Sequence, residues 1–149
     1  MVKVLATCAD TESGRICMKI LIVDDDPVSQ AVLREIVTAT GEHQVTTAGD
    51  GAAAWALLDD ASRSFDVAFL DISMPELDGF ELLLRIRRSP LLSSTEVVLC
   101  TGANDRATIA KAIQFGARHY VVKPCSAPII AAKLKQIGQI VERRLAGAT

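Results

Sequence analysis

Short apolar runs alternate along this chain with segments in which apolar residues recur at helical spacing. The apolar runs predict five strands, at Ile20–Val23, Val45–Ala48, Val67–Leu70, Val97–Cys100 and Tyr120–Val122. After the third run, Gly79, Leu82, Leu83 and Ile86 follow the i, i+3, i+4, i+7 spacing of an amphipathic helix. This alternation of strands and helices favours an α/β fold, in which a parallel sheet is covered by helices on both faces.

The regular pattern occupies residues 19–146, which we interpret as one domain. Residues 1–18 show no sustained period and contain Thr, Ser, Asp, Glu and Gly, so we predict a poorly ordered N-terminal extension. No run approaches the roughly 18 apolar residues of a membrane span, and the N-terminus lacks the apolar core of a secretory signal. We therefore expect a cytoplasmic protein that binds no membrane.

Composition argues against two kinds of site. With 16 basic and 18 acidic residues and a net charge of −2, the chain gives no electrostatic reason to expect direct nucleic-acid binding. Its four cysteines show no CxxC spacing, which disfavours a thiolate metal site. Cys100 and Cys125 lie in or beside apolar runs, where buried, reduced thiols are expected.

The remaining polar chemistry collects where the predicted strands end. The residues that follow the first, third, fourth and fifth strands are Asp24, Asp25 and Asp26, then Asp71, Thr101 and Lys123. Parallel strands end at the same edge of a sheet, and ligands of open α/β sheets bind outside that edge, where strand order reverses. Any one of these residues alone is more often a turn former, a helix cap or a surface charge, but together they predict one site.

Several carboxylates in one crevice repel each other unless a cation neutralises them. The ligands on offer are all oxygens, which selects a hard cation, with Mg²⁺ favoured and Mn²⁺ as the alternative. The ammonium of Lys123 suits a phosphoryl oxygen or a carboxylate, and the hydroxyl of Thr101 can donate to a phosphoryl oxygen. A carboxylate nucleophile with these neighbours predicts a phosphoryl-transfer site.

Four segments resemble the receiver domain of response regulators in bacterial two-component systems. They are LIVDDDP, FLDISMPELDGFELL, LCTG and YVVKP, and the resemblance runs from about Lys19 to Leu145. It implies a doubly wound, flavodoxin-like (βα)5 sheet with strand order 2-1-3-4-5. It also implies a phosphorylation-dependent signalling switch rather than an enzyme, although such a domain assists its own phosphorylation and dephosphorylation.

The resemblance assigns roles to individual residues. Asp71 corresponds to the phosphoacceptor. Asp24, Asp25, Asp71 and the backbone carbonyl of Ser73 correspond to the metal ligands. Ser73 and Ala103 stand where the family tunes the rate of dephosphorylation, and since neither carries an acid or an amide, we expect a fairly persistent phosphoryl group.

Three further residues correspond to the family's phosphate contacts and switch. Thr101 and Lys123 would contact the phosphoryl group, and Tyr120 would be the aromatic residue that turns inward on activation. The Lys123–Pro124 bond would be cis, as only X–Pro bonds commonly are. The sequence departs from the family at Cys125, where Phe is common.

The resemblance also implies partners. A histidine kinase or a histidine phosphotransfer protein would supply the phosphoryl group, and the face formed by the fourth helix, fifth strand and fifth helix would bind a downstream partner or form a homodimer. Ile130, Leu134, Ile137 and Val141 form a stripe on the last helix that suits either core packing or a dimer seam. Whether the chain acts alone or belongs to a longer regulator with a fused output domain stays open.

Two alternatives come from other classes. Asp24, Asp26 and Val28 spell the DxDxV motif of haloacid-dehalogenase-type phosphohydrolases, with Asp24 as nucleophile and Asp26 as acid/base. That family needs an acidic pair beyond the lysine, whereas CSAP follows Lys123–Pro124, and DISMPELDG would be unexplained. A pseudo-receiver that only binds partners is disfavoured, because the acceptor, the acidic pair, the Thr and the Lys are all present.

Overall fold

A computed structural model describes residues 17–72, 79–102 and 106–147, with side chains as far as Arg144. Ser73, Ala103 and residues 1–16 lie outside the described residues, so the roles expected for Ser73 and Ala103 and the poor order expected for residues 1–16 stay predictions. Cys17 and Met18, the last two residues of the expected extension, are buried, and Met18 packs in the core. Among the described residues, no helix combines the length and the apolar character needed to cross a membrane.

The described chain forms a parallel sheet flanked by helices. The strands are β1 (Lys19–Val23), β2 (Gln44–Ala48), β3 (Val67–Asp71), β4 (Glu96–Thr101) and β5 (His119–Val122). The helices are α1 (Pro27–Thr40), α2 (Gly51–Leu58), α3 (Gly79–Arg88), α4 (Arg106–Gln114) and α5 (Ala127–Gly147), with a 3₁₀ turn at Pro90–Leu92. The strands are all parallel and lie in the order β2-β1-β3-β4-β5. The predicted fold class and strand order are confirmed.

Every predicted strand lies within an observed strand, but β3 and β4 each end one residue later than predicted. The sequence places Asp71 and Thr101 just after their strands, whereas they are the last residues of β3 and β4. The reason is that backbone hydrogen bonds continue past the apolar runs. The Ile72 N–H donates to the Cys100 carbonyl at 3.2 Å, and the Lys123 N–H donates to the Thr101 carbonyl at 2.7 Å. Both side chains are therefore held by the sheet itself.

The two faces of the sheet pack against different helices. On β1, Leu21 and Val23 face one apolar cluster together with side chains of α2 and α3, whereas Ile20 and Ile22 face a second cluster with α1 and α5. This is the alternation of side chains expected along a strand, and all four side chains are at most 1% exposed. Full burial of each such side chain contributes roughly 2 kcal/mol. A slip of one residue would turn each set of side chains toward the wrong face of the sheet.

The apolar stripe of α5 belongs to the core. Ile130, Leu134, Ile137 and Val141 are between 0% and 5% exposed and pack in the cluster shared with α1. Of the two interpretations that the sequence leaves open for this stripe, core packing is confirmed along its whole length. A dimer that uses α5 would have to use a different face of the helix.

A buried carboxylate fastens α5 and β5 to the amino-terminal edge of the sheet. Glu96, the first residue of β4, has a fully buried side chain that meets Arg144 at 3.1 Å, His119 at 3.4 Å and Arg118 at 3.7 Å. The hydrogen bond with His119 outweighs burial and, with both arginines, lowers the pKa of Glu96 to about 2. The carboxylate is therefore ionised at neutral pH and holds these elements in place.

Candidate functional site

Three aspartates meet at the carboxyl-terminal edge of the sheet. Asp24 directly follows β1 and Asp71 ends β3, and these strands are neighbours in the sheet. One carboxylate oxygen of each of Asp24, Asp25 and Asp71 lies within 4.8 Å of the others. Asp24 and Asp71 are buried, whereas Asp25 is exposed, so the cluster opens to solvent on one side. The structure thus brings together the acidic residues that the sequence singled out.

Asp24 is held in its ionised form. Its Oδ1 accepts a hydrogen bond from the Asp26 N–H at 2.9 Å, and its Oδ2 accepts one from Lys123 Nζ at 3.0 Å. Burial raises the pKa of this carboxyl, but the hydrogen bonds from Asp26, the Ser29 side chain and Lys123 outweigh burial and lower it. Such a carboxylate is a ready ligand for a hard cation.

The Lys123 side chain contacts both Asp24 and Asp71, the residue expected to accept the phosphoryl group. Its Nζ lies 3.0 Å from Asp24 Oδ2 and 3.4 Å from Asp71 Oδ2. Burial lowers the pKa of the ammonium, but the two carboxylates outweigh burial and raise it. The side chain therefore carries a full positive charge at neutral pH and can pair with an anion at Asp71.

The other expected contacts lie on the adjoining strand ends. Thr101 is 3% exposed at the end of β4. The Lys123–Pro124 peptide bond is cis, as expected. Tyr120, on the edge strand β5, is 40% exposed, so in this structure its side chain is largely on the surface.

Asp26 has a structural task at the start of α1. It is the N-cap residue, and its Oδ1 accepts a hydrogen bond from the Val28 N–H at 3.1 Å, with Pro27 in the first turn. This is the arrangement of an ordinary helix cap. Together with the pairing of Asp24 to Lys123, it gives no support to the hydrolase in which Asp24 is the nucleophile and Asp26 the acid/base.

Residues of α1 support Asp24 in a way that the sequence pattern does not predict. The Gln30 side-chain amide donates to the backbone carbonyls of Asp24 and Ala48, both at 3.1 Å, and so ties together the ends of β1 and β2. The Ser29 side chain also lowers the pKa of the Asp24 carboxyl. Both are ordinary polar residues in the first turns of a helix, and only the position of α1 over the sheet edge reveals the contacts.

A pair of thiols lies beside the site. Cys100 and Cys125 are both free, and both pack with the apolar cluster shared by α1 and α5. Cys100 is buried as predicted, whereas Cys125 is only half-buried. The interaction between the two thiols raises the pKa of Cys100, as burial also does, and lowers the pKa of Cys125 to about 7. The sequence puts both residues near the ends of neighbouring strands, but the position of Cys125 depends on the path of the chain after β5, which no local pattern encodes.

Comparison with known proteins agrees with this geometry. The family model described as the response regulator receiver domain matches residues 20–135. A chemotaxis protein CheY homolog of Campylobacter jejuni is 28% identical over 120 residues, which are 80% of this chain and 92% of that protein. The two-component response regulator ORR24 of rice is 34% identical over 127 residues, but these are 85% of this chain and only 19% of the rice protein. Similarity therefore extends beyond bacteria.

Two solved structures show the same fold. The receiver domain of a signal transduction histidine kinase from Syntrophus aciditrophicus has a TM-score of 0.77 at 29% identity, covering 85% of this chain and 94% of that one. The receiver domain of DrrB, whose structure is described as BeF₃-activated, has a TM-score of 0.72 at 29% identity, covering 82% and 97%.

Proposed function

Because the chain belongs to the response regulator receiver domain family, we propose that Asp71 accepts a phosphoryl group from a phosphohistidine in a Mg²⁺-dependent reaction. The donor would be a histidine kinase or a histidine phosphotransfer protein. The observation that carries this proposal is the position of the Lys123 ammonium between Asp24 and Asp71, 3.0 and 3.4 Å from their carboxylates. The ammonium places a positive charge beside the Asp71 carboxylate, where the phosphoryl group would add negative charge.

The donor set fits a hard divalent cation. Three carboxylates present oxygens within 4.8 Å of one another, and the exposed side at Asp25 leaves room for water and a phosphoryl oxygen. Asp24, Asp25 and Asp71 would hold Mg²⁺, with Mn²⁺ as the alternative and the Ser73 carbonyl as a further expected ligand. When bound, the cation would neutralise charge on the transferring phosphoryl oxygens.

The residues of this chain would share the transfer as follows. A carboxylate oxygen of Asp71 attacks phosphorus in line, the phosphorus–nitrogen bond breaks, and its electron pair returns to the donor imidazole. The new phosphoryl group carries about two negative charges. The Lys123 ammonium moves from Asp24 to a phosphoryl oxygen, and the Thr101 hydroxyl donates to another.

The same movement would operate the switch. Thr101 ends β4 and Tyr120 lies on the neighbouring strand β5, so a shift of Thr101 toward the phosphoryl group leaves space that the Tyr120 ring can enter. The face formed by α4, β5 and α5 carries exposed apolar side chains, with Ile113, Tyr120 and Ile129 between 40% and 60% exposed. We infer that this face binds a downstream partner or forms a homodimer in one of the two states.

Two further features belong to the proposal. Ser73 and Ala103 would give a persistent phosphoryl group, and the domain would act in the cytoplasm. As a member of the receiver domain family, the chain would act as a signalling switch rather than as an enzyme.

The proposal is tested by phosphorylation of purified chain with a small acyl phosphate and Mg²⁺. The intact mass should rise by one phosphoryl group, and the rise should need the metal. Asp71→Asn should abolish it, whereas the matched variant Asp26→Asn, which keeps a good helix cap, should leave it unchanged. Loss of labelling in Asp24→Asn with retention in Asp71→Asn would overturn the proposal in favour of the hydrolase.

A further inference from the structure

Helix α2 turns an apolar face to solvent. Its sequence, GAAAWALL, contains no charged residue, no hydroxyl and no amide side chain. Ala54 and Leu58 are buried in the core, whereas Ala52, Ala53 and Ala56 are exposed. A surface helix ordinarily presents charged or polar residues to water, and a helix that is apolar on all sides is ordinarily buried. The outer face of α2 is therefore apolar surface that is left open to solvent.

An aromatic ring and two arginines border this face. Trp55 is half-buried, with part of its ring packed against the core, and the guanidinium carbon of Arg85 on α3 lies 5.6 Å from the ring centroid. A shallow pocket of about 380 Å³ is lined by Trp55, Arg85, Arg88 and Ser89. Trp and Arg are the residue types that most often carry the binding energy of protein interfaces. We define the α2–α3 patch as Ala52, Ala53, Trp55, Ala56, Arg85 and Arg88.

The patch has a net positive charge. Arg85 Nη2 lies 3.8 Å from Glu81 Oε1, and both side chains are about half exposed, so this pair contributes little in water. Arg88 is exposed as well. The acidic residues that follow α2 lie beyond its last turn, where Asp60 pairs with Arg63 at 3.6 Å and lines a different pocket. Two arginines thus stand against one weakly held carboxylate.

We propose that the α2–α3 patch binds a helix of another protein that presents an apolar residue flanked by carboxylates. The small side chains of the three alanines let a second helix approach closely, since the distance between packed helices depends on the side chains at the contact. The apolar residue would cover the alanines and the Trp55 ring, and the carboxylates would pair with Arg85 and Arg88. The proposal does not depend on phosphorylation of Asp71.

Two other occupants fit the patch less well. In a two-fold dimer the same surface of each protomer faces itself, which would bring Arg85 and Arg88 of both protomers together, and like charges at an interface are costly. A nucleic acid is bound mainly by neutralising several phosphates, to which the exposed alanines contribute nothing. The combination of apolar surface and positive charge therefore favours an acidic protein helix.

Trp55 provides the first test, because it is the only tryptophan in the chain. The full chain is titrated with a synthetic helical peptide that has leucines on one face and glutamates beside them. The comparison probes are the same peptide with lysines in place of the glutamates, and oligothymidylate. We expect a saturable blue shift of the Trp55 emission with the acidic peptide, weakened by added salt, and binding of the basic peptide at least roughly tenfold weaker. No saturable change with the acidic peptide, an equal response to the basic peptide, or tighter binding of oligothymidylate would overturn the proposal.

Substitutions in the patch provide the second test. Ala56→Glu and Ala56→Lys both place a good helix former on the exposed face, so both variants should fold. The affinity for the acidic peptide should fall at least roughly tenfold in Ala56→Glu and in Arg88→Glu, and less than about threefold in Ala56→Lys. Arg34→Glu, at an exposed position on α1, is the control and should change nothing. Unchanged affinity in Ala56→Glu and Arg88→Glu would overturn the proposal, as would self-association of the free chain in sedimentation that Ala56→Glu abolishes. Neither result would bear on the phosphorylation of Asp71.

Discussion

Lys123 Nζ donates a hydrogen bond to Asp24 Oδ2 at 3.0 Å and so joins the loop after β5 to the end of β1. Two strands, β3 and β4, separate β5 from β1 in the sheet. The lysine side chain therefore reaches across the carboxyl-terminal edge, and the ion pair occupies part of the acidic cluster that a metal and a phosphoryl group would need. Binding of either ligand must compete with this contact.

The competition predicts the effect of Lys123→Met on metal binding. Removing the ammonium leaves Asp24 and Asp71 without their cation, so the affinity for Mg²⁺ should rise several-fold, or by roughly 1 kcal/mol. Isothermal titration calorimetry measures this affinity, and Lys135→Met, an exposed lysine on α5, is the matched control and should change nothing. An unchanged or weaker affinity in Lys123→Met would show that the ion pair does not compete with the metal.

The ionised state of Glu96 predicts a pH dependence of stability. Because its folded pKa, about 2, lies below the ordinary 4.5, the carboxylate stabilises the fold above pH 4.5, and this stabilisation is lost as the pH falls toward 2. Glu96→Gln should lower the free energy of unfolding by on the order of 3 kcal/mol at about pH 7. Denaturant titrations should show the difference from wild type shrinking across that window.

Glu35→Gln is the control for Glu96. Glu35 is exposed on α1, and a substitution there should change the free energy of unfolding by less than about 0.5 kcal/mol. A constant difference between wild type and Glu96→Gln from neutral pH down to the folded pKa of about 2 would mean that the ion pairs of Glu96 do not supply its stabilisation.

Gly79, at the start of α3, lies directly against the backbone of Asp71. A Cβ there would collide with the backbone carbonyl of Asp71, whereas a Cβ at Gly138 in α5 meets nothing within 4 Å. Gly79→Ala should destabilise the fold by about 1–3 kcal/mol, as overpacking does. Gly138→Ala should instead stabilise it by up to about 1 kcal/mol, because Ala is the better helix former. Thermal unfolding of both variants checks the opposite signs.

Asp26, the N-cap residue of α1, should contribute to the stability of the fold but not to the rate of phosphorylation. Asp26→Ala removes the acceptor for the Val28 N–H and should lower the free energy of unfolding by about 1 kcal/mol. Its rate of phosphorylation by a small acyl phosphate should stay within about twofold of wild type at about 25 °C, where the fold persists. A rate that collapses while the variant is still folded would assign Asp26 a part in the chemistry.

The sequence predicts the site best where reactive polar residues stand at the ends of parallel strands. Asp24, Asp71 and Lys123 could be predicted to meet because parallel strands end at a common edge, and the structure brings both carboxylates within 3.4 Å of Lys123 Nζ. The contacts of Glu96 and the Cys100–Cys125 pair could not be predicted. They depend on the register of β4 against β5 and on the path of the chain after β5, which no local pattern encodes.

The apolar stripe on α5 illustrates the same limit. The spacing of its four residues suits a helix packed on a core and a helix in a dimer seam equally well. Only the position of α5 against β1 and α1 decides for the core. By contrast, the two apolar faces of β1 follow directly from its unbroken run of Ile, Leu and Val.

The residue that carries the phosphoryl group can be identified directly. An acyl phosphate is reduced by borohydride to an alcohol, so trapping of the phosphorylated chain converts the modified aspartate to homoserine, which peptide sequencing by mass spectrometry locates. We predict homoserine in place of Asp71 and of neither Asp24 nor Asp25, and only when Mg²⁺ is present during phosphorylation. Homoserine in place of Asp24, or unmodified Asp71 after labelling, would contradict the assignment of Asp71 as the acceptor.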